Sequence, residues 1–270
     1  MKADNKGGAC GSLPLTSARI SNGKGSHRVL FLLAGGAGTR LKSVVSEVPK
    51  ALAPIGGRPF LSILLEQYAK EGANTIVLCL HHQAEQIEDY VASLGGQVGS
   101  CQIKCVVEPR PLDTGGALRY ALQEYEKLSE PAVEIGVANA DSFIPGAYAK
   151  LLETPFAAPT LDCAHLASVF VSNVAPYGEL HLHAEGRVLG FTEKGGKVHA
   201  GMVYAGVALL KARLVRAFAQ DVFSLERDFF PKLIREDRVW ACGVETSFID
   251  IGTPRTYAQF CQDHLTRPDA

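Results

Sequence analysis

Short apolar runs alternate with amphipathic segments along the first half of this sequence, and this alternation constrains the fold most strongly. Runs that are apolar on both faces are typical of strands in a parallel sheet, because helices cover such strands on either side. We therefore predict a Rossmann-like, three-layer α/β/α fold with a mixed, mainly parallel sheet. The predicted strands span residues 29–34, 75–80, 103–107 and 133–138, and the predicted helices span residues 59–71, 83–94 and 115–128.

The second half of the sequence changes in character and contains a hairpin signal. Glu185-Gly186 is typical of a tight turn between two strands. We predict a single domain over residues 28–270, with a first half at residues 28–145 and a second half at residues 146–270. In the second half, the predicted strands span residues 164–171, 178–183, 187–192, 202–210, 239–244 and 248–251, and the predicted helices span residues 211–220, 225–235 and 253–265.

Charge and cysteine content limit the partners and the location of the chain. The net charge is −1, so no basic field indicates binding to nucleic acid or to a membrane surface. The seven cysteines form no CxxC pair, which favours a reducing, cytoplasmic setting over a disulfide framework or a zinc site. Residues 1–27 are polar and lack the apolar core of a signal peptide, which predicts a disordered leader or an expression remnant. No apolar run approaches the length of a transmembrane helix.

Polar residues follow three of the predicted parallel strands. Gly35 and Glu108 come directly after the strands that end near residues 34 and 107, and Asp141 comes three residues after the strand that ends near residue 138. Ligands bind beyond the carboxyl ends of the strands in open sheets of this kind. These residues are therefore expected to converge on one edge of the sheet.

The stretch from Leu33 to Leu41 indicates an anion site. Its glycines let backbone N–H groups face a phosphate, and Arg40 adds a cation. A plain strand-to-helix turn is the alternative, but the Thr-Arg pair and Lys50, ten residues after Arg40, favour the anion site. The candidate residues are Leu33, Ala34, Gly35, Gly36, Gly38, Thr39 and Arg40, with Lys50 placed to neutralise a leaving pyrophosphate.

Two further stretches each allow two roles. Thr114 and Gly115 stand at a predicted helix start, where Asp113 or Thr114 caps the helix while the glycines let a flat base approach the backbone. Asp141 and Asp250 each end an apolar strand, either as ligands of Mg²⁺ or as cap and turn residues.

A last pair, Glu193-Lys194, follows another predicted strand. It is either a clamp on a second phosphorylated substrate or an exposed hairpin pair.

Taken together, these motifs make the chain resemble the sugar-1-phosphate nucleotidyltransferases, also called nucleotide–sugar pyrophosphorylases. The resemblance runs from about residue 28 to about residue 259. The matching stretches are Gly-Gly-Ala-Gly-Thr-Arg-Leu at 35–41, Pro-Lys at 49–50, Glu-Pro-Arg-Pro-Leu-Asp-Thr-Gly-Gly-Ala at 108–117, Asn-Ala-Asp at 139–141, Glu-Lys at 193–194 and Asp-Ile-Gly-Thr-Pro at 250–254.

The resemblance implies a nucleotide-diphospho-sugar transferase fold, with a nucleoside triphosphate on the first half and a sugar 1-phosphate over the second. It also implies a set of residue roles. The implied catalytic residues are Arg40, Lys50 and Lys194, and the implied Mg²⁺ ligands are Asp141 and Asp250. Further nucleotide-binding residues are Glu108, Thr114 and Gly115. The implied sugar-phosphate-binding residues are Gly178, Glu193, Lys194 and Gly206.

Within this family, the stretches at 43–50, 223–231 and 248–252 resemble most the short bacterial D-glycero-α-D-manno-heptose 1-phosphate guanylyltransferases, which implies GTP as the donor. Three positions depart from the family pattern. Asp113 stands where many relatives have glycine, Ala140 replaces a glycine before the implied metal aspartate, and Tyr204 stands where relatives often carry asparagine. The base preference and a sugar hydrogen bond at position 204 therefore do not carry over.

The implied reaction is in-line attack of a sugar-phosphate oxygen on the α-phosphorus, which releases pyrophosphate and yields a nucleotide sugar for surface-glycan synthesis. The nucleophile is already anionic, so catalysis needs positioning and charge neutralisation rather than a general base. The sequence leaves open mannose 1-phosphate with GTP, N-acetylmuramate 1-phosphate with UTP, and a catalytically silent regulatory subunit that binds nucleotide sugar. It also leaves a homo-oligomer open.

Overall fold

The computed structural model describes residues 27–154, 162–192 and 194–266. The predicted leader lies outside this part of the chain except for His27, whose Nε2 lies 3.0 Å from Thr75 Oγ1. The predicted sugar-binding residue Glu193 also lies outside the described residues.

Strands and helices alternate as expected along the described chain. Its strands are β1 (Val29–Leu33), β2 (Pro54–Ile55), β3 (Arg58–Pro59), β4 (Thr75–Leu80), β5 (Gln97–Val98), β6 (Cys101–Val107), β7 (Glu134–Asn139), β8 (Ser142–Phe143), β9 (Ala164–Val171), β10 (Glu179–Leu182), β11 (Val188–Thr192), β12 (Gly201–Lys211), β13 (Val239–Gly243) and β14 (Ile249–Asp250). Its α-helices are α1 (Phe60–Lys70), α2 (Ala84–Ser93), α3 (Asp113–Glu126), α4 (Ala147–Glu153), α5 (Ala212–Arg216), α6 (Phe230–Arg235) and α7 (Pro254–Thr266), joined by a 3₁₀ turn at Lys50–Leu52 and a π-helical turn at Leu225–Phe229.

An eight-stranded sheet in the order β13-β9-β12-β7-β1-β4-β6-β5 forms the centre of the protein. Strand β1 pairs in parallel with β4 and β7, and β6 and β13 pair in parallel with β4 and β9. Strand β12 is antiparallel to both of its neighbours, and the short β5 is antiparallel to β6. The predicted mixed, mainly parallel sheet is confirmed. It contains strands from both predicted halves of the chain.

The alternation of side chains along β1 shows the three layers. Leu30 and Leu32 pack on one face of the sheet with residues of α1, α2, α4 and α7. Val29 and Phe31 pack on the other face with residues of α3, α5 and α6. Since successive side chains of a strand point to opposite faces, a run that is apolar throughout requires cover on both sides.

Several elements differ from the sequence-based expectation. The predicted helix over residues 211–220 is wrong in extent, because α5 ends at Arg216. Beyond it, the Phe218 ring packs on Phe223 with centroids 4.4 Å apart, and Arg119 Nη1 donates to the Phe218 carbonyl at 2.7 Å. These long-range contacts replace further helical hydrogen bonds. The helix α4 and the short strands β2, β3, β5 and β8 were not expected.

A short ribbon at the carboxyl edge of the sheet brings distant parts of the chain together. Strand β14 pairs antiparallel with β8, so that Asp250 lies opposite Ser142, and the Ile251 N–H donates to the Asp141 carbonyl at 2.9 Å. The backbone therefore places the two predicted metal-binding aspartates side by side.

Across the described residues, none of the helices is both long and apolar enough to cross a bilayer.

A buried histidine makes stability depend on pH. His165 lies on β9, where burial, followed by the charge of Lys211, lowers its pKa from 6.5 to about 4. The unfolded chain then binds the proton more readily than the folded chain, so stability is lost as the pH falls from about 6.5 towards 4. In urea unfolding, we expect the loss of stability from pH 7 to pH 5 to be smaller by about 2 kcal/mol in His165→Leu than in wild type.

The exposed hairpin residue His183 supplies the control for this comparison. His183→Leu should lose as much stability as wild type between the two pH values. Equal losses in His165→Leu and wild type would show that His165 is not the titrating group.

Candidate functional site

A cleft of about 240 Å³ opens at the carboxyl edge of the sheet, between the loops that follow β1 and β7. It brings together most of the predicted phosphate-binding residues with one predicted metal ligand. The lining comprises Leu33, Ala34, Gly36, Gly38, Thr39, Arg40, Lys50, Ala51, Ala140, Asp141 and Gly252.

Two carboxylates and a lysine form the charged centre of this cleft. Lys50 Nζ lies 2.7 Å from Asp141 Oδ2 and 3.7 Å from Asp250 Oδ1. The lysine side chain is only 13% exposed, and those of Asp141 and Asp250 are 35% and 24% exposed. The lysine offsets the charge of one carboxylate, so the second one needs another cation nearby.

The electrostatics of Asp250 reflect this need. Burial raises the pKa of its carboxyl, and the adjacent charge of Asp141 raises it further. Lys50, a hydrogen bond from the Gly252 N–H, and Arg40 act in the opposite direction. A further cation beside Asp250 would favour the ionised form of its carboxyl.

The glycine loop is shaped by its contact with Lys50. Gly38 has a φ of +57°, and a Cβ at this position would lie 3.0 Å from Lys50 Cβ. The Leu41 N–H donates to the Gly38 carbonyl at 3.0 Å and turns the chain. A side chain at Gly38 would therefore strain the backbone and press against the Lys50 side chain.

Gly252 was not among the predicted site residues, although it belongs to the Asp-Ile-Gly stretch. A Cβ at this position would lie 3.1 Å from both Arg40 Nη2 and Lys50 Nζ, and 2.5 Å from Asp250 Oδ1. The absence of a side chain lets two cations and a carboxylate meet at one point. The glycine of that stretch was the available signal, because a glycine two residues after a strand-ending aspartate allows other groups to approach closely.

The predicted base-binding residues lie outside the lining of this cleft, at the start of α3. Thr114 Oγ1 accepts a hydrogen bond from the Leu225 N–H at 2.9 Å, and the Gly115 N–H donates to the Phe223 carbonyl at 2.8 Å. A Cβ on Gly115 would lie 2.2 Å from the Phe223 ring. Both residues hold the 223–225 segment against α3, and their contact with a nucleotide stays a prediction.

Glu108 lies beside this helix start. Its Oε2 accepts a hydrogen bond from the Leu112 N–H at 3.3 Å, and its Oε1 lies 3.9 Å from His81 Nδ1. Burial raises the pKa of this carboxyl, while His81 and the Leu112 N–H oppose the shift. Gly35 packs against the same region, since a Cβ there would lie 3.2 Å from His81 N.

The predicted sugar-binding residues lie in the second half of the chain. Gly178 has a φ of +81°, and its N–H donates to the Val174 carbonyl at 2.9 Å. Gly206, with a φ of +78°, lies in an irregularity of β12 where a Cβ would come within 3.0 Å of Asn139 Nδ2. Lys194 follows β11 and is exposed. Their roles towards a substrate stay predictions.

Glu226 is a charged residue that was not predicted for the site. Glu226, in the π-helical turn, is close enough to Lys194 and Asp141 for their charges to shift its pKa. The 223–231 stretch indicates only a similarity within the family, and a glutamate inside a helical turn matches no functional motif. Its proximity to these residues follows from tertiary packing.

The close packing around Gly252 predicts that a side chain at this position weakens ligand binding in the cleft. In Gly252→Ala, the atoms displaced are the far ends of flexible side chains, so the fold should persist while Arg40 and Lys50 shift. Since the resemblance implies a triphosphate beside these cations, losing a charge-assisted contact should raise the dissociation constant for a nucleoside triphosphate, with GTP as the probe, about tenfold or more in isothermal titration.

Gly243→Ala is the matched control, since its Cβ would come no closer than 3.9 Å to another residue, Met202. It should bind GTP as wild type does. An unchanged affinity in Gly252→Ala would show that this glycine does not position the cations.

Comparisons with known proteins identify the family of this chain. The nucleotidyl transferase family matches residues 30–267. D-glycero-α-D-manno-heptose 1-phosphate guanylyltransferase of Campylobacter jejuni is 32% identical over 233 residues, covering 85% of this chain and 97% of that protein. A putative mannose-1-phosphate guanyltransferase of Sulfolobus acidocaldarius is 31% identical over 238 residues, covering 87% of this chain and 63% of that protein.

A solved structure shares the fold as well as the sequence similarity. HddC from Yersinia pseudotuberculosis, complexed with GMP-PN, is 31% identical with a TM-score of 0.73, and the match covers 87% of this chain and 99% of that one. The family match includes the glycine loop, Lys50 and both aspartates of the cleft. The chain therefore belongs to the nucleotidyl transferase family and is a nucleotidyltransferase.

Proposed function

We propose that this enzyme transfers GMP from GTP to a sugar 1-phosphate, D-glycero-α-D-manno-heptose 1-phosphate, and releases pyrophosphate. The observation that carries the proposal is the cleft where Lys50 lies between two carboxylates and beside a glycine loop. The similarity to the heptose 1-phosphate guanylyltransferase of C. jejuni supports the sugar. The GMP-PN complex of HddC supports the guanine nucleotide.

Charge repulsion is the main obstacle to joining two phosphorylated substrates. The sugar phosphate supplies an oxygen that is already anionic, which attacks the α-phosphorus in line as pyrophosphate departs. In our proposal, the backbone N–H groups of the glycine loop hold the triphosphate, and Arg40 and Lys50 offset the charge that develops on the pyrophosphate. Lys194 holds the phosphate of the sugar.

The two aspartates fit a divalent cation. Asp141 and Asp250 supply only oxygen ligands, they lie side by side at the cleft, and a cation already lies between them. No group of three or more potential ligand side chains exists within the described residues, which suits Mg²⁺, because this ion is held by one or two carboxylates, waters and substrate phosphates. When bound, the ion supplies neutralisation of phosphate charge.

The position of Lys50 gives this charge cluster a second function. With no substrate, the ammonium group stabilises the two aspartates. When phosphates occupy the cleft, Lys50 can turn towards them if another cation balances the carboxylates. Lys50 therefore serves both as an internal counter-ion and as a contact for the leaving group.

Mannose 1-phosphate is the second candidate acceptor. The similarity to the S. acidocaldarius protein favours it, although that match covers only 63% of the relative. The two acceptors differ by one hydroxylated carbon, which is a small difference for an enzyme to discriminate.

A pyrophosphate-release assay on the full-length enzyme tests the proposed substrates. GTP and UTP are each combined with the 1-phosphates of the heptose, of mannose and of N-acetylmuramate. GTP with the heptose phosphate should give the highest kcat/KM, by about tenfold or more over any other pair. A preference for mannose 1-phosphate would favour the second candidate, and no release with any pair would contradict nucleotidyl transfer to these sugars.

Direct metal binding tests the aspartates without relying on turnover. We expect Asp141→Asn and Asp250→Asn each to weaken binding of Mn²⁺, in the presence of GTP, about tenfold or more. Electron paramagnetic resonance of free Mn²⁺ measures this affinity.

Asp89→Asn provides the control, since Asp89 is exposed on α2. It should bind Mn²⁺ as wild type does. Unchanged affinity in either cleft variant would remove that aspartate from the metal site.

A further inference from the structure

We propose that Ser142 is a positioning residue, whose hydroxyl holds the Asp141 carboxylate in its metal-binding orientation when Lys50 turns towards the phosphates. The proposal rests on the proposed function, since it takes Asp141 as a ligand of a divalent cation. It gives a role to a side chain that lies just outside the matched Asn-Ala-Asp stretch at 139–141.

The Ser142 hydroxyl is in direct contact with this carboxylate. Ser142 Oγ donates a hydrogen bond to Asp141 Oδ1 at 3.2 Å, and the serine is only 6% exposed. Within the part of the chain that the structure describes, this is the one hydrogen bond that the hydroxyl makes. Because buried polar groups need a hydrogen-bond partner, Asp141 is the group that makes a hydroxyl favourable at this position.

The β8–β14 ribbon determines where this hydroxyl lies. Ser142 is directly opposite Asp250 in the antiparallel pair, and the Ile251 N–H donates to the Asp141 carbonyl at 2.9 Å. Directly opposite residues of an antiparallel pair share one face, with Cβ atoms about 5 Å apart. Backbone pairing therefore holds the serine next to both aspartates.

The two oxygens of the Asp141 carboxylate have different partners. Oδ2 lies 2.7 Å from Lys50 Nζ, and Oδ1 accepts the hydrogen bond from Ser142. The Asp141 side chain is 35% exposed, more than those of Lys50 and Asp250, so packing restricts it less. Contacts at both oxygens therefore restrict the rotation of this carboxylate.

These two partners differ in their effect on a bound cation. The ammonium group of Lys50 repels a second cation, and it has to move in order to contact phosphates. The Ser142 hydroxyl is neutral and leaves the charge of the carboxylate available. An ionised carboxylate has about four lone-pair sites, so the hydrogen bond from serine occupies only one of them. Ser142 can therefore keep its contact while a divalent cation binds.

Asp250 has a neutral partner of the same kind. Its Oδ1 accepts a hydrogen bond from the Gly252 N–H, and Lys50 Nζ lies 3.7 Å from the same oxygen. Each aspartate thus has one uncharged donor, and both share the lysine. Hydrogen bonds to the carboxylates that hold a metal orient them and contribute to metal affinity. The donor to Asp141 is a side chain, so a substitution can remove it.

Binding of Mn²⁺ to the full-length enzyme in the presence of GTP, measured by electron paramagnetic resonance, tests this role. Ser142→Ala removes the hydroxyl and should weaken the affinity about tenfold. Ser142→Thr keeps the hydroxyl on a residue that suits strands, and its affinity should stay within about twofold of wild type.

Ser168→Ala is the matched control. Ser168 is also buried, but its Oγ donates to the Cys242 carbonyl at 3.0 Å rather than to a carboxylate of the cleft. This variant should bind Mn²⁺ as wild type does. Unchanged affinity in Ser142→Ala would overturn the proposal. Equal weakening in Ser142→Ala and Ser142→Thr would also overturn it, because the hydroxyl would then not be the cause.

The Mg²⁺ dependence of turnover separates positioning from damage to the fold. In Ser142→Ala, the Mg²⁺ concentration for the half-maximal rate should rise about tenfold, and kcat at saturating Mg²⁺ should stay within about twofold of wild type. A lower kcat that excess Mg²⁺ does not restore would contradict a positioning role.

A double variant tests whether Ser142 acts through Asp141. Adding Ser142→Ala to Asp141→Ala should have little further effect on Mn²⁺ affinity, whereas additive effects would overturn the proposal. If Asp141→Asn and Asp250→Asn both bind Mn²⁺ as wild type does, the proposed metal site fails, and this inference with it. Weakened binding in those variants beside unchanged binding in Ser142→Ala defeats this inference alone.

Discussion

The contact of Lys50 with Asp141 and Asp250 is the interaction on which the rest of the cleft depends. It joins three segments that are far apart in the sequence: the turn after the glycine loop, the end of β7 and the β8–β14 ribbon. Without the lysine, two partly buried carboxylates would lie side by side with too little positive charge, which costs free energy. The same charges suit the chemistry of phosphate transfer, so one cluster stabilises the cleft and prepares it for substrate.

The second wall of the site is built by packing rather than by charge. The segment over residues 223–230 is attached to α3 through Thr114 and Gly115, and to β11 and β12 through its aromatic side chains. Residues that the motif pattern assigns to the nucleotide therefore also hold the segment that carries Glu226. This arrangement packs the start of α3, in the first predicted half of the chain, against a segment of the second half.

The buried elements were predictable because their periodicity is strong. Strands β4 and β9 begin and end at the expected residues, and the glycine loop, Lys50 and Asp141 meet at one edge as the parallel topology requires. The failures lie where local pattern carries little information. Strands β5 and β8, which were not expected, have two residues each, too short for any periodicity, and α5 ends early because Phe218 and Arg119 make contacts across the chain.

Apolar periodicity and motifs that are contiguous in the chain were enough to predict the layered α/β fold, the family and the residue types of the phosphate site. Two relations in the cleft depend instead on the folded chain: Lys50 lies between the two aspartates, and Gly252 leaves room for Arg40. Each of these relations joins residues on different elements. Their distances depend on strand pairing and side-chain packing, which no local stretch of sequence encodes.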